Sequence, residues 1–234
     1  GADASGIDFK DVRMTATAFA GAKLEGSSFT GARIEDAALA GVDLSKVKLD
    51  GAVIVRSDLS GASLPKANLK GCDFTDSMFA KADLREANLE QATLVRTNFP
   101  EAVLAGANLM NARGDYVRFM KADLTGARLA RGRFRRSCFI ETKLPRAICD
   151  EADLREAVFQ RAQAQQARFV KAKLNWADLT WTVLDLADFS DADLTGANLH
   201  AIHEEGTVWK GAGTRRVRRT DLARLEAETF APKK

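Results

Sequence analysis

The sequence predicts an all-β solenoid, a chain that turns a corner every five residues and sends one large and one small side chain inward each time. Three observations carry this. From Phe9 in steps of five to Leu199, 36 of 39 positions are Leu, Phe, Ile or Met; the exceptions are Gly114, Cys149 and Ala164. Two residues before each centre the chain is small: from Val12 to Ala197 that position is Ala in 24 of 38 cases, and otherwise Val, Ser, Thr, Cys or Gly. The register never slips between Phe9 and Leu199, so no loop is inserted.

A period of five fits neither an amphipathic helix at about 3.6 nor a strand at about 2. The remaining three positions of each unit are mostly Asp, Asn, Lys, Arg, Thr and Gly, as a solvated outer surface requires. Units such as Ala122-Asp123-Leu124-Thr125-Gly126 and Ala192-Asp193-Leu194-Thr195-Gly196 resemble the A-(D/N)-L-x-x pattern of the pentapeptide-repeat family. The resemblance covers residues 2–202. It implies a right-handed quadrilateral β-helix with four pentapeptides per coil.

The distribution of phenylalanine checks the number four. Twelve of the 13 Phe are centres, and Phe19, Phe79, Phe99, Phe119, Phe139 and Phe159 fall in one column when centres are sorted at intervals of twenty. Five consecutive Phe at that spacing would stack as a ladder, adding aromatic contact to ordinary burial. About ten coils at the inter-strand spacing of roughly 4.8 Å give a rod on the order of 45–50 Å long. Each coil touches only its neighbours, so both ends need covering.

Outward residues twenty apart also come close together. One column reads Lys81, Glu101, Lys121, Glu141, Arg161, and another Asp36, Arg56, Asp76, Arg96, Tyr116, Arg136, Glu156. Alternating sign is expected to support the stack, since opposite charges across neighbouring strands contribute roughly 0.2–1 kcal/mol each. Asn68, Asn88 and Asn108 are expected to form a hydrogen-bonded side-chain ladder.

At the N-terminus, Ala2-Asp3-Ala4-Ser5-Gly6 is already in phase and no Met precedes it. The first coil is expected to be covered, either by a longer chain of which this is a piece or by a partner copy. At the other end the repeat is expected to stop at residue 202. Residues 203–234 then form a tail with a short helix over 221–229, Thr220 as its N-cap. Trp176, Trp181, Val183 and Leu186 occupy outward positions on the last full coil, an apolar belt that needs cover. Trp209, Leu222 and Leu225 are expected to pack on the last coil of their own chain as a cap, or else to make a dimer contact. The closing stretch, with His200, Trp209, Thr220-Asp221 and Phe230-Ala231-Pro232, is similar to the ends of pentapeptide-repeat regions in bacterial type VI secretion-cluster proteins.

No run reaches the roughly 18 apolar residues of a membrane span. Three cysteines without paired spacing form no disulfide framework, and a reducing, cytoplasmic setting is expected. The sequence holds no Gly-rich phosphate loop, nucleophile elbow or carboxylate pair in a cleft, and a filled solenoid offers no substrate cavity. No catalytic, cofactor-binding or metal-binding residue is assigned; Cys72 and Cys149 read as small inward hydrophobes, and only Cys138 faces out. His200 and His203, beside Glu204 and Glu205, are too few to define a metal site. Two basic clusters, Arg128, Arg131, Arg133, Arg135, Arg136 and Arg215, Arg216, Arg218, Arg219, read as solvated bands or as contacts for phosphate or an acidic partner.

The function expected is a non-catalytic adaptor, a rigid rod that presents surface to a protein partner within a larger bacterial protein or secretion-related assembly. The alternative is a DNA-mimicking topoisomerase (gyrase) binder of the quinolone-resistance type. Mimicry of a duplex needs an extended anionic surface, whereas this chain carries net charge +3. Nucleic acid is an unfavoured partner.

Overall fold

The computed structural model describes residues 1–229. Every centre from Phe19 to Leu199 is buried, together with the small residue two before it in nearly every unit. Most centre carbonyls accept a hydrogen bond from the amide three residues on, as in Ala87 N–H to the Leu84 carbonyl at 3.0 Å; at Ala37, Ser57 and Val117 that amide donates instead to a serine hydroxyl of the next layer. The residue two past the centre takes a positive φ: 57° at Glu86, 65° at Gly126. A positive φ at the third turn position is the mark of a type II turn, and it bends the chain at five-residue intervals.

Four such corners separate each residue from its pairing partner twenty positions on. Strands β1 (Arg13–Thr15), β2 (Arg33–Glu35) and β3 (Val53–Val55) form a parallel sheet in the order β1-β2-β3, with Arg13 opposite Arg33 and Arg33 opposite Val53. The same twenty-residue register continues as single-residue parallel bridges from Asp3↔Lys23 to Asn198↔Arg218. Backbone polar groups are thus satisfied by the neighbouring layers.

Stacking then orders the core. Phe79, Phe99, Phe119, Phe139 and Phe159 form one ladder with successive centroids 4.9, 5.2, 5.1 and 4.6 Å apart. A second stack on another wall joins Phe169, Phe189 and Trp209 at 4.7 and 4.6 Å. At several small positions a buried hydroxyl donates to a carbonyl 23 residues back: Ser77 to Ile54 at 2.9 Å, Thr97 to Phe74 at 2.8 Å and Thr142 to Phe119 at 2.7 Å. Gly114 leaves no hole, because a Cβ there would lie 2.6 Å from Val117 Cγ2 and 3.1 Å from the Phe134 ring.

Outside, the charge columns pair as their alternation predicts. Arg56 meets Asp36 at 2.9 Å, Arg96 meets Asp76 at 2.6 Å, and Lys121 meets Glu141 at 3.7 Å. Asn88 donates to Asn68 at 3.2 Å and Asn108 to Asn88 at 3.1 Å, forming the expected ladder.

The C-terminal end differs from the sequence reading. The coil does not stop at 202: His203, Val208, Gly213 and Arg218 bridge to the layer beneath. Trp209 is accordingly a core centre of this layer and no part of a returning tail. The other centre positions of the layer are Glu204, Thr214 and Arg219, all exposed, so the stack ends where its inward residues become polar. Arg219 Nη1 meets Glu204 at 2.8 Å and its guanidinium lies over the Trp209 ring, closing the end with charge. Helix α1 (Leu222–Thr229) starts one residue later than expected, with the Leu225 amide bonded to the Asp221 carbonyl at 2.9 Å. It reaches back along a side wall, where Glu228 Oε2 lies 3.2 Å from Trp181 Nε1 and 3.2 Å from His200 Nε2. Leu222, expected to pack on the last coil, is 71% exposed; Leu225 is half-buried. Residues 230–232 of the sequence likeness lie outside the described residues.

Candidate functional site: the C-terminal belt

Corner positions throughout the stack are Gly or hydrophilic with few exceptions. Trp176, Trp181 and Leu186 break this rule on three successive corners, with φ of 61°, 60° and 58°. Bulky side chains rarely occupy this left-handed region. Glycine one layer on makes room for two of them. A Cβ at Gly196 would lie 2.5–2.7 Å from three atoms of the Trp176 six-membered ring, and one at Gly206 2.7 Å from Leu186 Cδ2. The large side chains therefore lie down across glycine shelves.

The three corners differ in cover. Trp181 is half-buried and donates its indole N–H to Glu228 of α1. Trp176 and Leu186 each remain 59% exposed. Behind Trp181 lies His200, 2% exposed, edge-on to the indole with centroids 6.2 Å apart. Its Nδ1 accepts the Asp221 amide at 3.3 Å, which places the ring proton on Nε2, facing Glu228. His200 is thus the anchor of the helix start, a role sequence reasoning missed; its in-phase place beside Leu199 was the available signal. His203 is occupied by Asp185. No group of three or more His, Cys, Asp or Glu side chains is placed to hold a metal ion among the described residues.

The first basic cluster is largely neutralised. Arg131 pairs with Glu151 at 3.5 Å, Arg133 with Asp115 at 2.5 Å, Arg135 with Asp153 at 2.6 Å, and Arg136 with Glu156 at 2.9 Å and the Tyr116 hydroxyl at 2.7 Å. Burial alone would raise the Asp153 carboxyl, but hydrogen bonds from Arg155 and Arg135 outweigh it and hold the group down at about 2. Arg128 stands exposed with no ion pair among the described residues. In the second cluster Arg219 belongs to the end closure, and Arg218 lies near enough to Asp178 to favour its ionised form. Arg215 and Arg216 are exposed, with no ion pair among the described residues.

The thiols divide as expected from their positions. Burial pushes Cys72 up to about 12 and Cys149 higher still, while Cys138 is partly exposed. No described helix is long and apolar enough to cross a membrane.

Twenty-residue pairing, corners every five residues and a filled apolar interior define a β-helix solenoid. The chain belongs to the pentapeptide repeats family, whose pattern matches in eight copies over residues 1–31, 37–76, 52–91, 77–113, 133–170 and 172–201. Among solved structures it is similar to HetL, a pentapeptide repeat protein involved in heterocyst differentiation regulation in the cyanobacterium Nostoc sp. That match has 23% identity and a TM-score of 0.56, covering 92% of this chain and 90% of HetL. A second is QnrB1, a plasmid-mediated fluoroquinolone resistance protein, at 18% identity and TM-score 0.48, covering 95% of this chain and 100% of the other. A third, from the Arabidopsis thaliana thylakoid lumen, has 27% identity and TM-score 0.33 over 40% of this chain and 68% of its own. No curated protein matches. The likeness to HetL bears on the fold alone.

Proposed function

We propose that the chain is a non-catalytic adaptor, a right-handed quadrilateral rod of about ten coils that presents its C-terminal belt to a protein partner. Its setting in this reading is reducing and cytoplasmic, within a larger bacterial protein or a secretion-related assembly. The observation that carries the reading is the belt itself: three successive corners are large and apolar, and α1 covers only Trp181 while Trp176 and Leu186 stay 59% exposed. Elsewhere many charged corners pair across layers, as at Arg56–Asp36, Arg96–Asp76 and Arg136–Glu156. An exposed apolar side chain at a strained corner adds little to the stack, so its benefit lies outside the chain.

The test is affinity capture from bacterial lysate with the wild type and with Trp176→Gly/Leu186→Gly. The expected result is a protein retained by the first and lost by the second; equal retention overturns the reading. Size exclusion of the wild type decides whether a second copy occupies the belt. Gyrase mimicry is disfavoured by the alternation of sign along the corner columns, and supercoiling by gyrase is expected to be unaffected.

A further inference from the structure

We propose that the edge formed by Trp176, Gly196 and Arg216 is the docking point for an acidic segment of a protein partner. An apolar side chain of that segment lies on the Trp176 indole while its carboxylates meet Arg215 and Arg216. The inference rests on the adaptor reading and gives the partner a chemistry.

Three layers of one corner build the edge. The Trp176 amide donates to the Thr195 carbonyl at 3.0 Å and the Gly196 amide to the Arg215 carbonyl at 2.9 Å, so indole, glycine and arginines follow one another along the stack. Gly196 lets the ring lie across it, which leaves much of the indole in solvent. Beyond the shelf, Thr195, Arg215 and Arg216 line a shallow depression of about 130 Å³. An aromatic surface that needs an apolar partner thus adjoins two guanidiniums suited to bidentate carboxylate binding.

Charge sets the sign of the occupant. Residues 201–220 hold Lys210, Arg215, Arg216, Arg218 and Arg219 against Glu204 and Glu205 only. Of these, Arg219 is matched by Glu204, whereas Arg215 and Arg216 have no ion pair among the described residues. The carboxylate of Asp193, two residues before Thr195, is already held by the Thr195 amide at 3.0 Å and by Asn175. A nucleic acid fits less well. Backbone binding draws on a track of several phosphate contacts, and the next arginines along this edge, Arg155, Arg135 and Arg136, are engaged by Asp153 and Glu156.

The corner conformation supplies a clean variant. At φ of 61° a glycine is more at ease than a tryptophan, so Trp176→Gly removes the indole and relieves strain in the same step. Short random peptides displayed on phage are selected on the full chain, and labelled copies are measured by fluorescence anisotropy. Enriched peptides are expected to combine clustered Asp or Glu with Phe, Trp or Leu. Their binding is expected to fall at least about tenfold in Trp176→Gly and in Arg215→Ala/Arg216→Gly, with an unchanged or raised Tm, and to weaken as salt rises. Absence of enrichment, peptides without acidic bias, or binding unchanged by these substitutions overturns the proposal. So does labelled oligothymidine binding at the same edge in place of peptide. Binding lost only with substitutions on another face ends this proposal but leaves the adaptor reading intact. Failure of the lysate capture ends that reading, and the proposal resting on it, on separate grounds.

Discussion

The Arg219 guanidinium lies 5.4 Å from the centroid of the Trp209 indole, and Trp209 stacks in turn on Phe189 at 4.6 Å. One aromatic column of the core is therefore finished by a cation, and the counter-charge comes from Glu204 at another centre position of the same layer. Replacing either member of the Arg219–Trp209 pair should loosen the last layer. In a double-mutant cycle with Ala at both positions, urea denaturation is expected to give a coupling of about 0.5–1 kcal/mol. Faster hydrogen exchange at the Arg218 amide should accompany each single change. A cycle with no coupling would remove the closure from the account.

Deep in the stack the consequences are larger. Phe119 is fully buried between Phe99 at 5.2 Å and Phe139 at 5.1 Å. Phe119→Ala should destabilise by about 3–5 kcal/mol through the cavity it opens. Phe119→Leu should fall well short of that; equal losses would mean that the ladder geometry, more than volume, sets stability.

Corner strain can be isolated at Gly126, where φ is 65° and nothing lies within 4 Å of a built Cβ. Gly126→Ala should destabilise by about 1–2 kcal/mol from backbone conformation alone. Measured beside Trp176→Gly, which should be neutral or stabilising, the two variants bracket the energy of one corner.

Acid should act through Asp153. Its carboxyl is held down at about 2 when folded and returns to the usual range, near 3.9, on unfolding. The stabilisation is therefore fully present above about pH 4 and is lost as pH falls toward 2, on the order of 2 kcal/mol in all. Wild type should lose this increment between those values while Asp153→Asn, already lacking it, should show a flatter profile. Parallel profiles would refute the assignment.

Thiol chemistry should report the burial pattern. Under native conditions Ellman's reagent is expected to titrate Cys138 alone, with Cys72 and Cys149 reacting after denaturation. Fast native reaction of Cys149 would mean that its layer opens readily.

Much of this was legible in the primary structure, because an unbroken period of five is visible wherever the centre is apolar. The Phe ladder, the alternating ion pairs and the Asn ladder all follow from adding twenty to a residue number. The final layer escaped for the same reason: Glu204, Thr214 and Arg219 hide the period, although Trp209, Ala212 and Val217 keep its phase. Leu222 misled in the other direction, since an apolar residue at a helix start carries no information about which wall the helix follows. The glycine shelves under Trp176 and Leu186 depend on pairs of positions, each unremarkable alone.

Pairing at intervals of twenty also separates two quantities that most folds entangle, distance along the molecule and direction around it. Excising one whole block of twenty residues would draw the Trp176 edge toward the first layer by about 4.8 Å while leaving its bearing unchanged. Excising five would turn everything downstream onto the adjoining wall. The molecule is in this sense a ruler with discrete graduations, and a partner gripping it at two points would measure its length in whole layers.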